Sequence, residues 1–156
     1  MSGSMEHHMR SCLALADEAA TLGEVPIGCL ITDPHGRVIA RSHNRTRSQH
    51  DPTAHAEILA LRQACAHLQV ARLDGSCLYV TLEPCAMCAA AISFAHIHTL
   101  YFGAYDPKGG GVEHGPRFFQ QPTCHHRPHV IGGICEQDCA QRLQQFFLTK
   151  RPQSPA

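Results

Sequence analysis

CLYVTLEPCAMC, residues 77–88, passes from a β-favouring run into a proline-opened helix without an intervening loop. Cys77 to Leu82 has the length and composition of a central strand. Pro84 predicts a helix start, because proline fits the first helical turn without losing a hydrogen bond. A strand that delivers a helix directly is the unit of an α/β sheet. Cys85 and Cys88, three positions apart, meet on one helical face. Such a pair shuttles electrons, holds a structural zinc or carries a catalytic one, and the spacing alone leaves all three open.

The flanking segments alternate in the same way. Upstream, apolar residues from Met9 recur at Cys12, Leu13, Ala16 and Ala20, a helical period ending at Gly23. Ile27 to Thr32 reads as a buried strand, Asp33-Pro34-His35-Gly36 as a tight turn and Val38 to Ala40 as the returning strand. Asp51-Pro52 predicts the start of a second helix running to about His67, with the carboxylate as cap. Gly75 breaks the chain before the quoted strand, and the helix opened by Pro84 reaches about Ala95. Leu100 to Ala104 is a further strand, Asp106 to Gly111 is loop chemistry, and irregular chain follows through Pro128. Val130 to Ile134 reads as a short last strand. Gln137 to Lys150 reads as a helix, with apolar positions at Cys139, Leu143, Phe146 and Phe147. Strands and helices in this order predict an α/β sheet covered on both faces.

With 156 residues the chain suits one domain, expected over residues 5–151. Residues 1–4, ahead of a second methionine at Met5, are read as an appended leader, and residues 152–156 as a flexible tail. Lys plus Arg equals Asp plus Glu at 13 each, so no overall field draws in nucleic acid or an anionic membrane. Nine cysteines are an odd number for a closed disulfide framework, and no apolar run is long enough to span a bilayer. These features predict a reduced, cytoplasmic protein with no membrane partner. Cys12, Cys29, Cys65 and Cys77 fall in apolar stretches and read as small buried hydrophobes.

His55-Ala56-Glu57 falls in the first turns of the second predicted helix, and Pro84-Cys85-Ala86-Met87-Cys88 opens the third. In an α/β sheet such helix starts gather at one edge, where ligands collect. One imidazole and two thiolates suit zinc, and three protein ligands leave a fourth position for water. Glu57, two residues past His55, is placed to move protons without joining the metal. The H-x-E and P-C-x-x-C pairing is a general signature of zinc deaminases, and the reaction class it predicts is hydrolytic deamination. A thioredoxin-type redox pair would leave His55 and Glu57 without a part. A structural zinc would need a fourth protein ligand, for which His96 and His98 are the candidates.

Two other groupings favour plainer readings. Cys124-His125-His126 with Cys135 and Cys139 has a metal-like composition, yet its spacings match no zinc-finger pattern, so packing or surface placement is expected. Arg37, Arg41, Arg45 and Arg47 form a basic stripe that reads first as a solvated strand face.

Across nearly the whole chain, GEVPIG (23–28), HNRT (43–46), DPTAHAEILAL (51–61), LYVTLEPCAMCAAAI (78–92), FGAYDPKGG (102–110) and FFLTKR (146–151) resemble bacterial tRNA-specific adenosine deaminases. These belong to the cytidine deaminase-like zinc hydrolases. The resemblance implies a three-layer α/β/α sandwich with a mixed five-stranded sheet, a homodimer, and conversion of the wobble adenosine of a tRNA anticodon stem-loop to inosine. His55, Cys85 and Cys88 look like ligands of one zinc per subunit, and Glu57 like the proton shuttle. Asn44 and the backbone of Ala56 would hydrogen-bond the base, Val25 and Ile27 would wall the pocket, and Pro84 would border it. Asp106 and Lys108 would lie near the flanking nucleotides, and Phe147, Lys150 and Arg151 would help hold the loop. The stretch Val112 to Pro128 departs from the family pattern. A free guanine or cytosine deaminase with the same metal chemistry is the alternative, and a zinc-stabilised RNA-binding module without turnover is a third reading.

Overall fold

The computed structural model describes residues 2–150. Helix α1 (Ser2–Thr21) leads into the hairpin β1 (Gly28–Thr32) and β2 (Val38–His43), followed by α2 (Ala56–Leu68) and β3 (Cys77–Leu82). Then come α3 (Ala86–Phe94), β4 (Thr99–Ala104), one 3-10 turn at Phe118–Gln120, β5 (His129–Ile131) and α4 (Glu136–Lys150). The strands lie in the order β2-β1-β3-β4-β5. The pairings of β1 with β2 and β3 are antiparallel, and those of β4 with β3 and β5 are parallel.

The sheet is mixed because its two halves are connected differently. Asp33-Pro34-His35-Gly36 is short enough only for an antiparallel return, and the Asp33 carboxylate holds it by accepting the His35 and Arg37 amide protons, each at 2.9 Å. Between β3 and β4 the chain crosses over through α3, which forces parallel pairing. Side chains of β1 and β3 then alternate between two cores. Cys29, Ile31, Leu78 and Val80 pack under α2 and α3, while Leu30 and Tyr79 pack under α1 and α4. The result is a three-layer α/β/α sandwich. Fully buried Leu30, Ile31, Leu78, Ile92, Leu100 and Phe102 each contribute about 1.5–3 kcal/mol by leaving water. Gly28 lies so close under α1 that any Cβ there would collide with the Cys12 carbonyl.

Several boundaries differ from the sequence reading. Helix α2 begins at Ala56, five residues after Asp51, because the Asp51 carboxylate closes a local turn instead, accepting from the Thr53 amide and hydroxyl. Likewise α3 begins at Ala86, with Cys85 as its flanking N-cap residue. Helix α1 starts at Ser2, so the backbone of residues 2–4 is helical. Regular β5 pairing stops at Ile131, although the Gly133 and Ile134 amides still donate to the Gly103 and Phe102 carbonyls. Cys12 and Cys29 are buried as expected, whereas Cys65 and Cys77 are only half-buried. Arg151 and the tail at 152–156 lie outside the described residues.

The irregular stretch 112–128 packs on α3 through Val112, Phe119 and Cys124. The Ser93 hydroxyl donates to the His126 carbonyl at 2.7 Å, and His126 Nε2 donates to the Ile97 carbonyl at 2.7 Å. Cys124 and His126 therefore serve packing and tethering, as expected of that grouping.

Candidate active site

The ends of β2 and β3 feed the starts of α2 and α3 at one edge of the sheet, and the chemistry gathers there. His55 and Cys85 occupy equivalent posts, each the extended residue just before its helix, and neither caps that helix with its side chain. Their side chains turn toward each other. His55 Nδ1 lies 3.7 Å from Cys85 Sγ and 3.5 Å from Cys88 Sγ. Among the described residues, these three form the one group of potential ligands in which all donor atoms lie within 4.8 Å of one another. A tetrahedral zinc with usual bond lengths would hold its nitrogen and sulfur ligands about 3.6 Å apart. The donor set and its spacing fit that ion.

His96 and His98 do not join the set. His96 stacks near His126, and His98 bonds the Thr99 hydroxyl, beyond the far end of α3. The structural-zinc reading therefore has no fourth protein donor among the described residues, and the redox reading would leave an imidazole in contact with both thiols, with no part to play.

Protonation follows from the crowding. The Cys88 thiol donates to Cys85, and this, with His55 beside it, brings the Cys85 thiol down to about 4 against the opposing effect of burial. Cys88 is pushed far up by the same bond and by burial. His55 is raised, first by its bond to Cys85. Glu57, buried in the first turn of α2, is pushed up to about 7, chiefly by burial. A carboxyl poised near neutrality beside three metal donors has the acidity of a proton shuttle.

Asn44 lies on the loop after β2, and its Oδ1 accepts the Ala56 amide proton at 2.9 Å. The Ala56 N–H is thus taken by Asn44. Among the described residues no acceptor partners Asn44 Nδ2, and no fully buried polar side-chain atom is left without a partner, so that donor reaches the open edge.

Val25, Asp106, Lys108 and Phe147 come together along one groove of about 500 Å³ between α4 and the end of β4. Val25 and Phe147 also line a smaller hollow of about 250 Å³, with Arg47 and Lys150. His55, Glu57, Cys85 and Cys88 line neither hollow. Ile27 packs against the core under α2. Pro84 is buried, and its carbonyl accepts the Gly111 amide proton at 2.8 Å.

Two carboxylates went unpredicted. Glu24 is 1% exposed and accepts the amide protons of Arg47 and Ser48 at 3.1 and 2.7 Å. Glu83 is 2% exposed and accepts from Asp106, Val112, Glu113 and His114. Burial works against ionisation at both, and the donated hydrogen bonds outweigh it, holding each carboxyl below its usual value. The signal was there: each is a lone acid inside a buried, apolar motif.

The family model for the cytidine and deoxycytidylate deaminase zinc-binding region matches residues 2–104. A tRNA-specific adenosine deaminase of Agrobacterium fabrum is 60% identical over 146 residues, covering 93% of this chain and 95% of that one. Its counterpart in Haemophilus influenzae is 44% identical, over 94% and 84% of the two chains. A solved structure from a study of A-to-I editing by tRNA deaminases at the wobble position superposes with a TM-score of 0.85 at 57% identity, covering 88% of this chain and 99% of that one. A guanine deaminase from Nitrosomonas europaea, at 23% identity and a TM-score of 0.78 over 90% and 83% of the chains, shares the fold. The chain belongs to the cytidine and deoxycytidylate deaminase family of zinc-binding proteins, among its tRNA-specific adenosine deaminases.

Proposed function

We propose that this protein hydrolyses the wobble adenosine of a tRNA anticodon loop to inosine, as a homodimer with one zinc per subunit, in the reducing cytoplasm. The observation that carries the reading is Glu57, buried and near neutral in acidity, beside three zinc donors; a separate groove lined by Lys108 and Phe147 offers room for the rest of an RNA loop. A free base would need a closed pocket, whereas a looped-out nucleotide needs room for its neighbours.

Zinc, held by His55, Cys85 and Cys88, supplies a Lewis acid that makes water nucleophilic near neutral pH. Glu57 takes a proton from the water that adds at C6 of adenine and delivers it to N1, then carries the proton of the new hydroxyl to the leaving amino nitrogen. The C6–N bond breaks, ammonia departs and the new oxygen stays. Asn44 Nδ2 donates to the base and so orients it. Arg47, Lys108 and Lys150 pair with phosphates of the loop, while the exposed Phe147 ring stacks on a flanking base. Arg151 belongs to the same contact by position in sequence.

Nine unpaired cysteines support a reducing compartment, and no helix among the described residues is long and apolar enough to cross a membrane. The dimer contact is assigned to the outer face of α2 and α3, where Phe94, 70% exposed, borders an apolar groove with Ile58, Leu61 and Cys65. Incubation with an anticodon stem-loop bearing adenosine at the wobble position, beside free guanine and cytosine, tests the activity. Inosine in the RNA is expected. Turnover of free bases alone would reject the proposal in favour of a nucleobase deaminase.

A further inference from the structure

We infer that Glu83 is a positioning residue for the substrate: with His114 it clamps the segment Asp106–His114 onto the turn that carries Cys85. The inference rests on the RNA reading above and assigns a determinant of binding within it.

Glu83 stands where an apolar strand ends and the metal-holding turn begins, and its side chain is 0% exposed. A carboxylate so desolvated is stable only with donors around it. Oε1 accepts the Asp106 amide at 3.0 Å and His114 Nδ1–H at 2.8 Å. Oε2 accepts three successive amides, of Val112, Glu113 and His114, at 3.2, 2.9 and 3.1 Å. Successive amides converging on one oxygen form an anion nest, and here the anion belongs to the chain itself. Every one of these donors comes from the single segment 106–114, so the carboxylate shapes that segment from beneath.

The segment's glycines are cut to the same template. A Cβ on Gly110 would collide with the Glu83 carboxylate, and one on Gly111 would collide with the backbone of Cys85 and Ala86. On the outer side, Asp106 Oδ1 accepts the amides of Lys108 and Gly109, at 3.3 and 3.0 Å. The course of Lys108 along the groove rim therefore depends on Asp106, whose own amide is fixed by Glu83. His114 also meets the Tyr105 ring edge-on, and Tyr105 lines the same groove.

A role in proton transfer is ruled out by saturation. A carboxylate has about four lone-pair positions, and the donors around Glu83 fill them, leaving none for water or substrate. Loss of the clamp should therefore weaken RNA binding and spare the chemical step.

The test compares zinc-loaded wild-type protein, Glu83→Gln and His114→Ala. It reads amide hydrogen exchange across 106–114, zinc content, and kcat and KM on the wobble-adenosine stem-loop. In Glu83→Gln the side-chain NH₂ faces amide donors, so exchange at 112–114 should quicken and KM should rise, each about 10-fold, with kcat within about 2-fold and zinc retained. His114→Ala removes one donor and should raise KM about 3-fold by the same logic, and it carries the test should Glu83→Gln fail to fold. Unchanged exchange would overturn the clamp. Faster exchange or lower thermal stability with KM unchanged would reduce Glu83 to a structural role, and joint loss of kcat and zinc would move its action to the metal. Wild-type protein that leaves the RNA untouched would sink the RNA reading, while exchange and zinc content would still decide the clamp.

Discussion

The Asn44 side-chain oxygen caps helix α2 from outside the helix, accepting the Ala56 amide proton at 2.9 Å. The residue in the usual capping position is His55, whose ring faces the cysteine sulfurs and makes no cap bond. With the His55 ring turned to the sulfurs, the local cap is missing and a loop residue supplies it. Asn44 then has two ends with two tasks: the oxygen holds the helix start, and the NH₂ faces the open edge. Asn44→Ala should cost about 1–3 kcal/mol in urea unfolding, because a buried N–H loses its partner. Asn44→Asp keeps an acceptor for Ala56, so it should retain most of that stability and still lose deamination. Equal stability losses in the two variants would refute the division of labour.

Glu57 sits among the metal donors, in contact with Cys88 and near Cys85 and His55. Replacing it with Gln keeps the volume and removes the proton shuttle. Inosine formation should fall at least ~10²-fold while zinc content and stem-loop affinity stay at wild-type values. Single-turnover assays with excess enzyme isolate the chemical step, and full activity there would reject the assignment.

Why some features were legible in the chain and others were not follows from the range of the interactions. Cys77 to Leu82 and Ile27 to Thr32 could be read because burial on both faces favours a largely apolar, β-favouring run. His55, Glu57, Cys85 and Cys88 could be read because a metal needs particular donors at fixed spacings. The start of α2 could not, since the choice between a cap and a turn at Asp51 rests on a hydroxyl two residues on. Glu24 and Glu83 are marked locally only as lone acids in apolar motifs; the partners that hold them lie 23 to 31 residues away and cannot be read from the neighbouring chain.

Zinc uptake should release protons. Without metal, Cys85 carries the site's negative charge, while Cys88 is held as a thiol and His55 is drawn toward its cation. All three must coordinate in deprotonated form, so loading the apo-protein at pH 7 should release about one to two protons per zinc. Affinity should fall as pH is lowered, since the retained protons compete with the ion. Calorimetry in buffers of different ionisation enthalpy counts them, and a count of zero would mean that both thiols are already ionised. Cys88→Ser should lose stoichiometric zinc altogether.

Glu24 should set part of the acid limb of stability. Its carboxylate ties the loop carrying Arg47 and Ser48 to the turn at Gly23–Val25, and those amides hold its acidity below the usual value near 4.5, against the opposing effect of burial. A depressed folded-state pKa makes the ionised form the stabilising one. Its contribution is therefore complete above about pH 4.5 and fades as pH falls through the lower folded value. Glu24→Gln retains one acceptor but no charge, so it should be about 1–3 kcal/mol less stable than wild type at pH 7. That gap should close on acidification below the unfolded value, because the wild-type side chain also becomes neutral. Urea unfolding at neutral pH and at successively lower pH measures it, and a gap that stays constant into acid would show that the ionised carboxylate is not what holds the loop. Since the same loop presents Arg47 to the hollow shared with Phe147 and Lys150, the variant should also bind stem-loop RNA more weakly at pH 7.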